Sequence, residues 1–315
     1  MTTGTEMRPP GDDDGLAVDV RGLGVRYRRP WRRETNWALR DCTFQIPAGR
    51  VAALVGLNGA GKSTLLGALA GLLAPAEGVA LVGGAPAVAA TGEEGCRMQY
   101  VAQDKPLYRH LDAAAMLQIA ARSNRVWDSQ RALRWLQRFE IPLDRPCGRL
   151  SGGQQAQVSF ALALGACPSV LLLDEPLADL DPLARDGVMR ELLAEAADTG
   201  ITVLLSTHVV AEIGGVADHL LVLGRGALLV EGAIDDILES HRFYVGPRAD
   251  APPVAGEVLQ ARHTEGQSTF LVRGTPGQPP PPASPPWIRR EVTLADFVLA
   301  HLNNSTTTSG QEASA

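Results

Sequence analysis

The sequence predicts an α/β fold in which helices cover both faces of a largely parallel sheet. From about residue 16 to residue 240, short runs rich in Leu and Val alternate with Ala-, Leu- and Arg-rich stretches of helical character. Three runs show no alternation of apolar and polar residues: Val51–Val55, Val170–Leu173 and Thr202–Ser206. Such strands are typical of parallel sheets buried on both faces, and interleaved helices then form a doubly wound core.

The composition is that of a folded protein without bulk positive charge. The 315 residues carry 29 basic and 35 acidic side chains, for a net charge of −6, and 45% are hydrophobic. This apolar share is too high for a chain that is disordered throughout. The charge argues against nucleic acid as a partner, because nucleic-acid readers rely on a positive field.

The N-terminal part predicts no secretory signal and no membrane span. Residues 1–15 are polar and acidic, so we expect disorder there, followed by strands at Ala17–Val20 and Cys42–Ile46. The longest apolar stretch, Val158–Leu173, is shorter than the roughly 20 residues that cross a bilayer, and Pro168 interrupts it. We therefore expect a cytoplasmic protein that reaches the membrane only through partners.

A Gly-rich loop directly follows the predicted strand Val51–Val55 and leads into a helical stretch. Its pattern is that of a phosphate-binding loop, and it predicts a P-loop NTPase core. Backbone N–H groups point at phosphate oxygens, the Lys62 ammonium reaches the β- and γ-phosphates, and the Ser63 hydroxyl ligates Mg²⁺. The loop and helix start comprise Gly56, Leu57, Asn58, Gly59, Ala60, Gly61, Lys62, Ser63 and Thr64.

A pair of acids closes the predicted strand Val170–Leu173. Asp174 is placed to hold Mg²⁺, and Glu175 is placed to polarise a water for attack on the γ-phosphate. An acidic pair at a strand end is usually just solvated. The upstream phosphate loop favours the catalytic interpretation.

A helical insert is predicted at about residues 105–150, after a strand at Met98–Ala102. The insert is Arg-rich and poor in strand signals, with helical stretches at Ala113–Ala121 and Ser129–Phe139.

A second anion-binding helix start is predicted where the insert ends. Ser151 is the expected N-cap, and it is followed by Gly152, Gly153 and Gln154. If both phosphate sites served one ATP within one subunit, the insert would have to fold back over the nucleotide. In the other solution, the second site faces the ATP of a partner subunit, and the residues alone leave both solutions open.

Together, the phosphate loop, Leu150–Gln154 and Leu171–Pro176 resemble the ATP-binding cassette (ABC) ATPase subunits, and the resemblance covers roughly residues 16–240. In that family, two ATP molecules with Mg²⁺ are sandwiched in a head-to-tail dimer. The resemblance therefore implies that the signature residues, above all Ser151 and Gly153, contact the γ-phosphate in trans.

Further site residues follow from the resemblance. Gln103 matches the Q-loop and would sense Mg²⁺ and the γ-phosphate, Asp181 matches the D-loop at the dimer interface, and His208 matches the switch histidine. Tyr27 resembles the aromatic residue that stacks on adenine. The competitors of Tyr27 for this role are Trp31 and Trp37.

Three features depart from expectation. The family pattern usually has Gly where Asp179 stands, so the dimer interface is expected to gain a charge. The stretch Gln155–Val158 lacks an Arg often found there. The chain has only two lysines, Lys62 and Lys105, and Lys105 has no role in this interpretation.

The C-terminal region, residues 241–302, predicts a small α+β appendage. A hairpin is expected from Glu257–His263 and Thr269–Arg273, followed by a stiff Pro-rich linker at 275–286. Thr293 is the expected cap of a last short helix, and residues 303–315 are expected to be disordered.

The resemblance implies an ATPase that drives a membrane transporter, with export favoured because the appendage is small. The expected partners are a second nucleotide-binding subunit, in a homo- or heterodimer, and separate polytopic membrane subunits. These would hold the chain on the inner face of the cell membrane. The alternative is a soluble ABC ATPase acting on ribosomes or DNA. The single cassette, and the short interval between Lys62 and Ser151 without sustained heptads, argue against it.

Overall fold

The computed structural model describes residues 15–28, 35–88, 97–274 and 280–312. The expected disorder of residues 1–15 concerns a segment outside these ranges except for Gly15, and Trp31 also lies outside them. The strands are β1 (Leu16–Arg28), β2 (Thr35–Pro47), β3 (Val51–Val55), β4 (Glu77–Val82), β5 (Ala85–Pro86), β6 (Met98–Val101), β7 (Val170–Asp174), β8 (Thr202–Thr207), β9 (His219–Gly224), β10 (Ala227–Ala233), β11 (His241–Pro247), β12 (Glu257–His263), β13 (Gln267–Arg273) and β14 (Ile288–Glu291). The helices are α1 (Lys62–Leu69), α2 (Ala113–Ser123), α3 (Ser129–Arg138), α4 (Gly152–Gly165), α5 (Pro182–Thr199), α6 (Ile234–Ser240) and α7 (Leu294–Glu312).

The central sheet has six strands in the order β10-β9-β3-β8-β7-β6. Its strands are parallel except for β10, which joins β9 in an antiparallel edge pair. The three runs without alternation form β3, β7 and β8, and each is buried at every position. Alternate side chains enter different cores: Ala53 and Val55 pack on one face of the sheet, whereas Ala52 and Leu54 pack on the other.

A second, antiparallel sheet of order β2-β1-β4-β5 covers the face that also carries α1. The predicted strands Ala17–Val20 and Cys42–Ile46 lie in this sheet rather than in the central one. Strand β4 follows α1 and was not predicted. Its residues alternate only weakly, and half of the strand is exposed.

The helical insert consists mainly of α2 and α3. Asp112 and Asp128 cap these helices, because each carboxylate accepts a hydrogen bond from a backbone N–H one turn ahead. The insert packs on α4, with Trp135 and Phe160 ring centroids 5.3 Å apart. The core of the insert is therefore continuous with the core beneath the central sheet.

The appendage is a four-stranded antiparallel sheet, β12-β13-β11-β14, with α7 packed against it and against the main core. The expected hairpin forms as β12 and β13, and Thr293 bonds with Asp296 at the start of α7. The strands β11 and β14 were not predicted.

Two predictions for the C-terminal region differ from the structure. The end of the Pro-rich segment is not a free spacer, because Tyr244 donates a hydrogen bond to the Pro281 carbonyl and Pro280 is buried. Residues 275–279 lie outside the described ranges. The structure also continues α7 to Glu312, through part of the segment 303–315 for which the sequence predicts disorder. Once a helix is nucleated, each further residue adds a backbone hydrogen bond at little extra cost.

No helix in the part of the chain that the structure describes is long and apolar enough to cross a membrane.

Two glycines with similar backbone geometry test the packing of β4 against β1. A Cβ on Gly78 (φ +73°) would overlap the Gly22 carbonyl oxygen, whereas a Cβ on Gly84 (φ +80°) would meet nothing within 4 Å. Gly84→Ala should lower the free energy of unfolding by about 1 kcal/mol, the cost of left-handed backbone alone. Gly78→Ala should cost about 1–3 kcal/mol more because of the added overlap. Urea denaturation measures both, and equal losses would contradict the packing of β4 against β1.

Candidate active site

The phosphate loop lies between β3 and α1 and borders a cavity of about 580 Å³. Gly61 adopts φ +109°, and a Cβ there would come within 2.9 Å of the Ala38 carbonyl. Gly59 adopts φ +79° with open space in front of it, as a loop that admits a phosphate requires. The lining residues are Trp37, Ala38, Asn58, Gly59, Gly61, Lys62, Ser63, Thr64, Gln103, Glu175, Arg225 and Gly226.

Lys62 is buried, and its ammonium contacts three other residues of the site. Its ammonium donates to the carbonyls of Gly56 at 2.9 Å and Leu57 at 3.4 Å, and it lies 3.2 Å from a carboxylate oxygen of Glu175. A buried ammonium needs such partners, because removing it from water without them is costly. Gly56 itself leaves no room for a side chain, since a Cβ would lie 2.5 Å from the Leu223 carbonyl.

Asp174 ends β7 and is held from two sides. The Ser206 hydroxyl donates to Asp174 Oδ1 at 2.7 Å, and the Tyr100 hydroxyl lies 3.4 Å from Oδ2. Burial, followed by the neighbouring Asp174 charge, raises the pKa of Tyr100 far above its usual range, so the hydroxyl stays a donor. Neither partner was predicted, because only the alignment of β6, β7 and β8 brings them to Asp174.

Glu175 lies between the Lys62 ammonium and the His208 imidazole. One carboxylate oxygen faces Lys62, and the other is 3.3 Å from His208 Nδ1, a pair that is ionic only when the imidazole is protonated. The Glu175 backbone adopts φ +44°, and its N–H donates to the Ser206 hydroxyl at 2.9 Å. The predicted base and switch histidine are thus neighbours, although they come from different strands.

Two aromatic residues are candidates for stacking on adenine. The Tyr27 hydroxyl lies 3.2 Å from the Thr64 hydroxyl, and the Tyr27 ring is half exposed. Trp37 lines the cavity, with the Arg26 guanidinium 5.7 Å from its ring centroid. Trp37 therefore lines the cavity itself, whereas Tyr27 does not line it and reaches it only through its contact with Thr64.

Arg225 and Gly226 also line the cavity but were not predicted. They follow β9, which pairs with β3 and therefore ends beside the phosphate loop. The order of strands in the sheet, which the sequence does not reveal, places them there.

The predicted second anion site begins α4. Ser151 accepts a hydrogen bond from the Gln154 N–H, and the Gln154 side chain accepts one from the Ser151 N–H, which together form a capping box. Ser151 and Gly152 are exposed. None of Ser151–Gln154 lines the cavity formed by the described residues around the phosphate loop. Asp181 caps α5 by accepting from the Ala184 N–H at 3.0 Å.

The residues present fit a nucleoside triphosphate with Mg²⁺. The loop supplies left-handed glycines and the start of α1, where backbone N–H groups are free to meet phosphate. Oxygen donors for a hard cation come from Ser63 and Gln103, which line the cavity, and from Asp174, which ends β7 directly before the cavity residue Glu175. Mg²⁺, when bound, would supply positive charge that neutralises the phosphates.

Comparison with known proteins agrees with this geometry. A family model described as ABC transporter matches residues 39–178. The molybdenum import ATP-binding protein ModC of Mycobacterium tuberculosis is 36% identical over 255 residues, which are 76% of this chain and 69% of that protein. The Nod factor export ATP-binding protein I of Sinorhizobium fredii is 32% identical over 247 residues, which are 75% and 72% of the two chains.

A solved structure of an ATP-binding subunit of an ABC transporter superposes with a TM-score of 0.62. It is 27% identical and covers 70% of this chain and 91% of the other. The predicted fold class, a P-loop α/β core with a helical insert, is thereby confirmed.

The contacts of two hydroxyls with Asp174 predict losses of ATPase activity of two different sizes. Ser206→Ala removes a short buried hydrogen bond to Asp174 and the acceptor of the Glu175 N–H, whereas Tyr100→Phe removes one longer contact. Phosphate release from ATP should slow about tenfold or more in Ser206→Ala and less in Tyr100→Phe. Parental rates in Ser206→Ala would contradict the assigned role of this strand end.

Proposed function

This chain belongs to the ABC transporter family, as an ATP-hydrolysing subunit, and from that premise we propose that two such subunits close head to tail on two ATP molecules. The observation that carries the proposal is an incomplete site. The cavity around the phosphate loop contains the candidate base and Gln103, but the exposed signature residues Ser151 and Gly152 lie elsewhere. A second subunit would supply them.

The proposed roles follow the positions of the side chains. Lys62 and the loop N–H groups bind the β- and γ-phosphates, while Ser63, Asp174 and Gln103 hold Mg²⁺. Thr64 and Trp37 line the cavity, and Tyr27, whose hydroxyl lies 3.2 Å from that of Thr64, is proposed to stack on adenine. In the partner, Ser151 and the N–H groups of Gly152 and Gly153 face the γ-phosphate, with Gln154 closing the capping box, and Asp181 lies at the interface.

The ion pair between Lys62 and Glu175 joins the phosphate loop to the candidate base, with the ammonium 3.2 Å from the carboxylate. A γ-phosphate at the loop would compete with Glu175 for this ammonium and so leave the carboxylate free to act on water. His208, which lies beside Glu175 and is partly exposed, would then contact the same phosphate.

A groove of about 270 Å³ supports coupling to a membrane subunit. It lies between the segment after β6 and helices α2 and α4, and Pro106, Leu107, Met116 and Ile119 form much of its wall. Gln103 does not line this groove but lines the cavity around the phosphate loop. Because Gln103 lines the cavity around the phosphate loop and Pro106 lines the groove, only a few residues of chain separate the two sites. We propose that a helix of a separate polytopic partner docks there and holds this subunit on the inner face of the membrane.

Export remains the proposed direction of transport. It is supported by the small appendage and by the export name of the relative from Sinorhizobium fredii. The names of most other relatives are those of importers, so direction needs its own experiment.

Glu175→Gln should accumulate a dimer with ATP. The amide keeps the shape of the side chain but accepts a proton poorly, so ATP stays between the subunits. Sedimentation should show a dimer at saturating ATP with Mg²⁺ and a monomer with ADP. Lys62→Ala is the matched control and should stay monomeric. A Glu175→Gln variant that stays monomeric at saturating ATP would count against the shared site.

Affinity capture and vesicle transport should identify the partner and the direction. Glu175→Gln captured from native membranes with ATP should bring down a polytopic protein, and recovery of ribosomes or DNA instead would overturn the transport function. Everted vesicles that contain both subunits, given ATP outside and a cell extract as solutes, should accumulate a solute inside. ATP-driven loss of a preloaded solute would indicate import instead.

A further inference from the structure

The second lysine of the chain forms an ion pair between its own buried ammonium and a half-exposed carboxylate, and the ATPase chemistry described so far does not use this pair. The Lys105 side chain is 5% exposed, and its ammonium contacts Oδ2 of Asp179 directly, although the two residues are 74 positions apart. Lys105 lies in a tight turn with φ +45°, which is closed by hydrogen bonds to Ala102 and Leu107. The ammonium position is therefore fixed by the backbone as well as by burial.

Asp179 connects this lysine to the signature loop. Its Oδ2, the oxygen that contacts Lys105, lies 3.4 Å from the position a Cβ on Gly152 would take. The next residue, Leu180, comes within 2.9 Å of the corresponding position on Gly153. The segment before α5 is thus packed directly on the backbone that begins α4.

The pair also reaches the proposed docking groove, because Lys105 is one of its lining residues. An ammonium this buried is costly to leave without a counter-charge, so movement of the Lys105 turn must carry Asp179 along or break the pair. Lys and Arg are not interchangeable at such a pair, because the ammonium is a compact point charge and the guanidinium a planar fork. The charge of Asp179, expected to add to the dimer interface, is instead compensated within the subunit.

We propose that Lys105 and Asp179 are positioning residues that hold the signature loop ready for the partner's ATP and link it to the groove for the membrane subunit. This inference rests on the proposed head-to-tail dimer. The pair touches no nucleotide atom. It acts by keeping the backbone of Gly152 and Gly153 at one distance from the groove wall, so that motion of a docked helix reaches the opposite active site.

The test is ATP-driven dimerisation in the Glu175→Gln background. Asp179→Asn and Lys105→Met should each raise the ATP concentration at half-dimerisation about three- to tenfold, as expected for loss of one coupled pair. The double variant should need no more ATP for half-dimerisation than the single variant with the larger increase, because both changes remove the same interaction. Asp179→Glu keeps the carboxylate and should recover most of the parental behaviour.

Two further readouts separate positioning from damage to the fold. Binding of a fluorescent ADP to the monomer should be unchanged, because the phosphate loop is not altered. The melting temperature of Lys105→Met should stay near that of the parent, because this change leaves no buried ammonium unpaired and the Asp179 carboxylate is half exposed. Variants that dimerise at the parental ATP concentration, additive shifts in the double variant, or an equal loss of ADP affinity would overturn the role of the pair. A parent that never dimerises would instead overturn the proposed shared site.

Discussion

Parallel pairing of β3, β8, β7 and β6 is the constraint on which the site depends. In this register, Val55 lies beside Thr207, and Asp174 lies beside Ser206. Because parallel strands end at the same edge of the sheet, the segments that follow them lie close together there, even when they are far apart in sequence. This edge therefore holds the phosphate loop, Gln103, Glu175 and His208. Burial on both faces keeps the strands in register, because a shift by one residue would exchange side chains between the two cores.

Residues whose chemistry is local could be recognised from the sequence. The strands without alternation, the Gly-rich loop and the capping box at Ser151 each have a signal within a few residues. Ser206 and Tyr100 have no such signal, because their importance comes only from lying beside Asp174 across strands. The same holds for Lys105 and Asp179. The continuation of α7 through residues 303–312 was missed because polar residues in a helix that is already nucleated resemble a disordered tail.

The two lysines of the chain are both buried, and each is paired with an acid. Each ammonium is almost fully removed from solvent and pairs with an acid at the end of a loop, Lys62 with Glu175 and Lys105 with Asp179. In the proposed function, the phosphates of ATP compete with Glu175 for the first ammonium. The second pair is proposed to hold the signature loop in position. The two lysines are thus given different roles, one in nucleotide binding and one in positioning.

Complementation between two inactive variants tests most directly whether the active site is shared between subunits. Lys62→Ala removes the phosphate-binding ammonium, and Ser151→Glu places a carboxylate where the partner's γ-phosphate should lie. Each variant alone should hydrolyse ATP far more slowly than the parent. In their mixture, the Lys62→Ala subunit offers an intact signature to the intact phosphate loop of the other, so the ATPase rate should rise well above that of either variant alone. A mixture no faster than its components would show that each chain completes its own site, and would contradict the head-to-tail account.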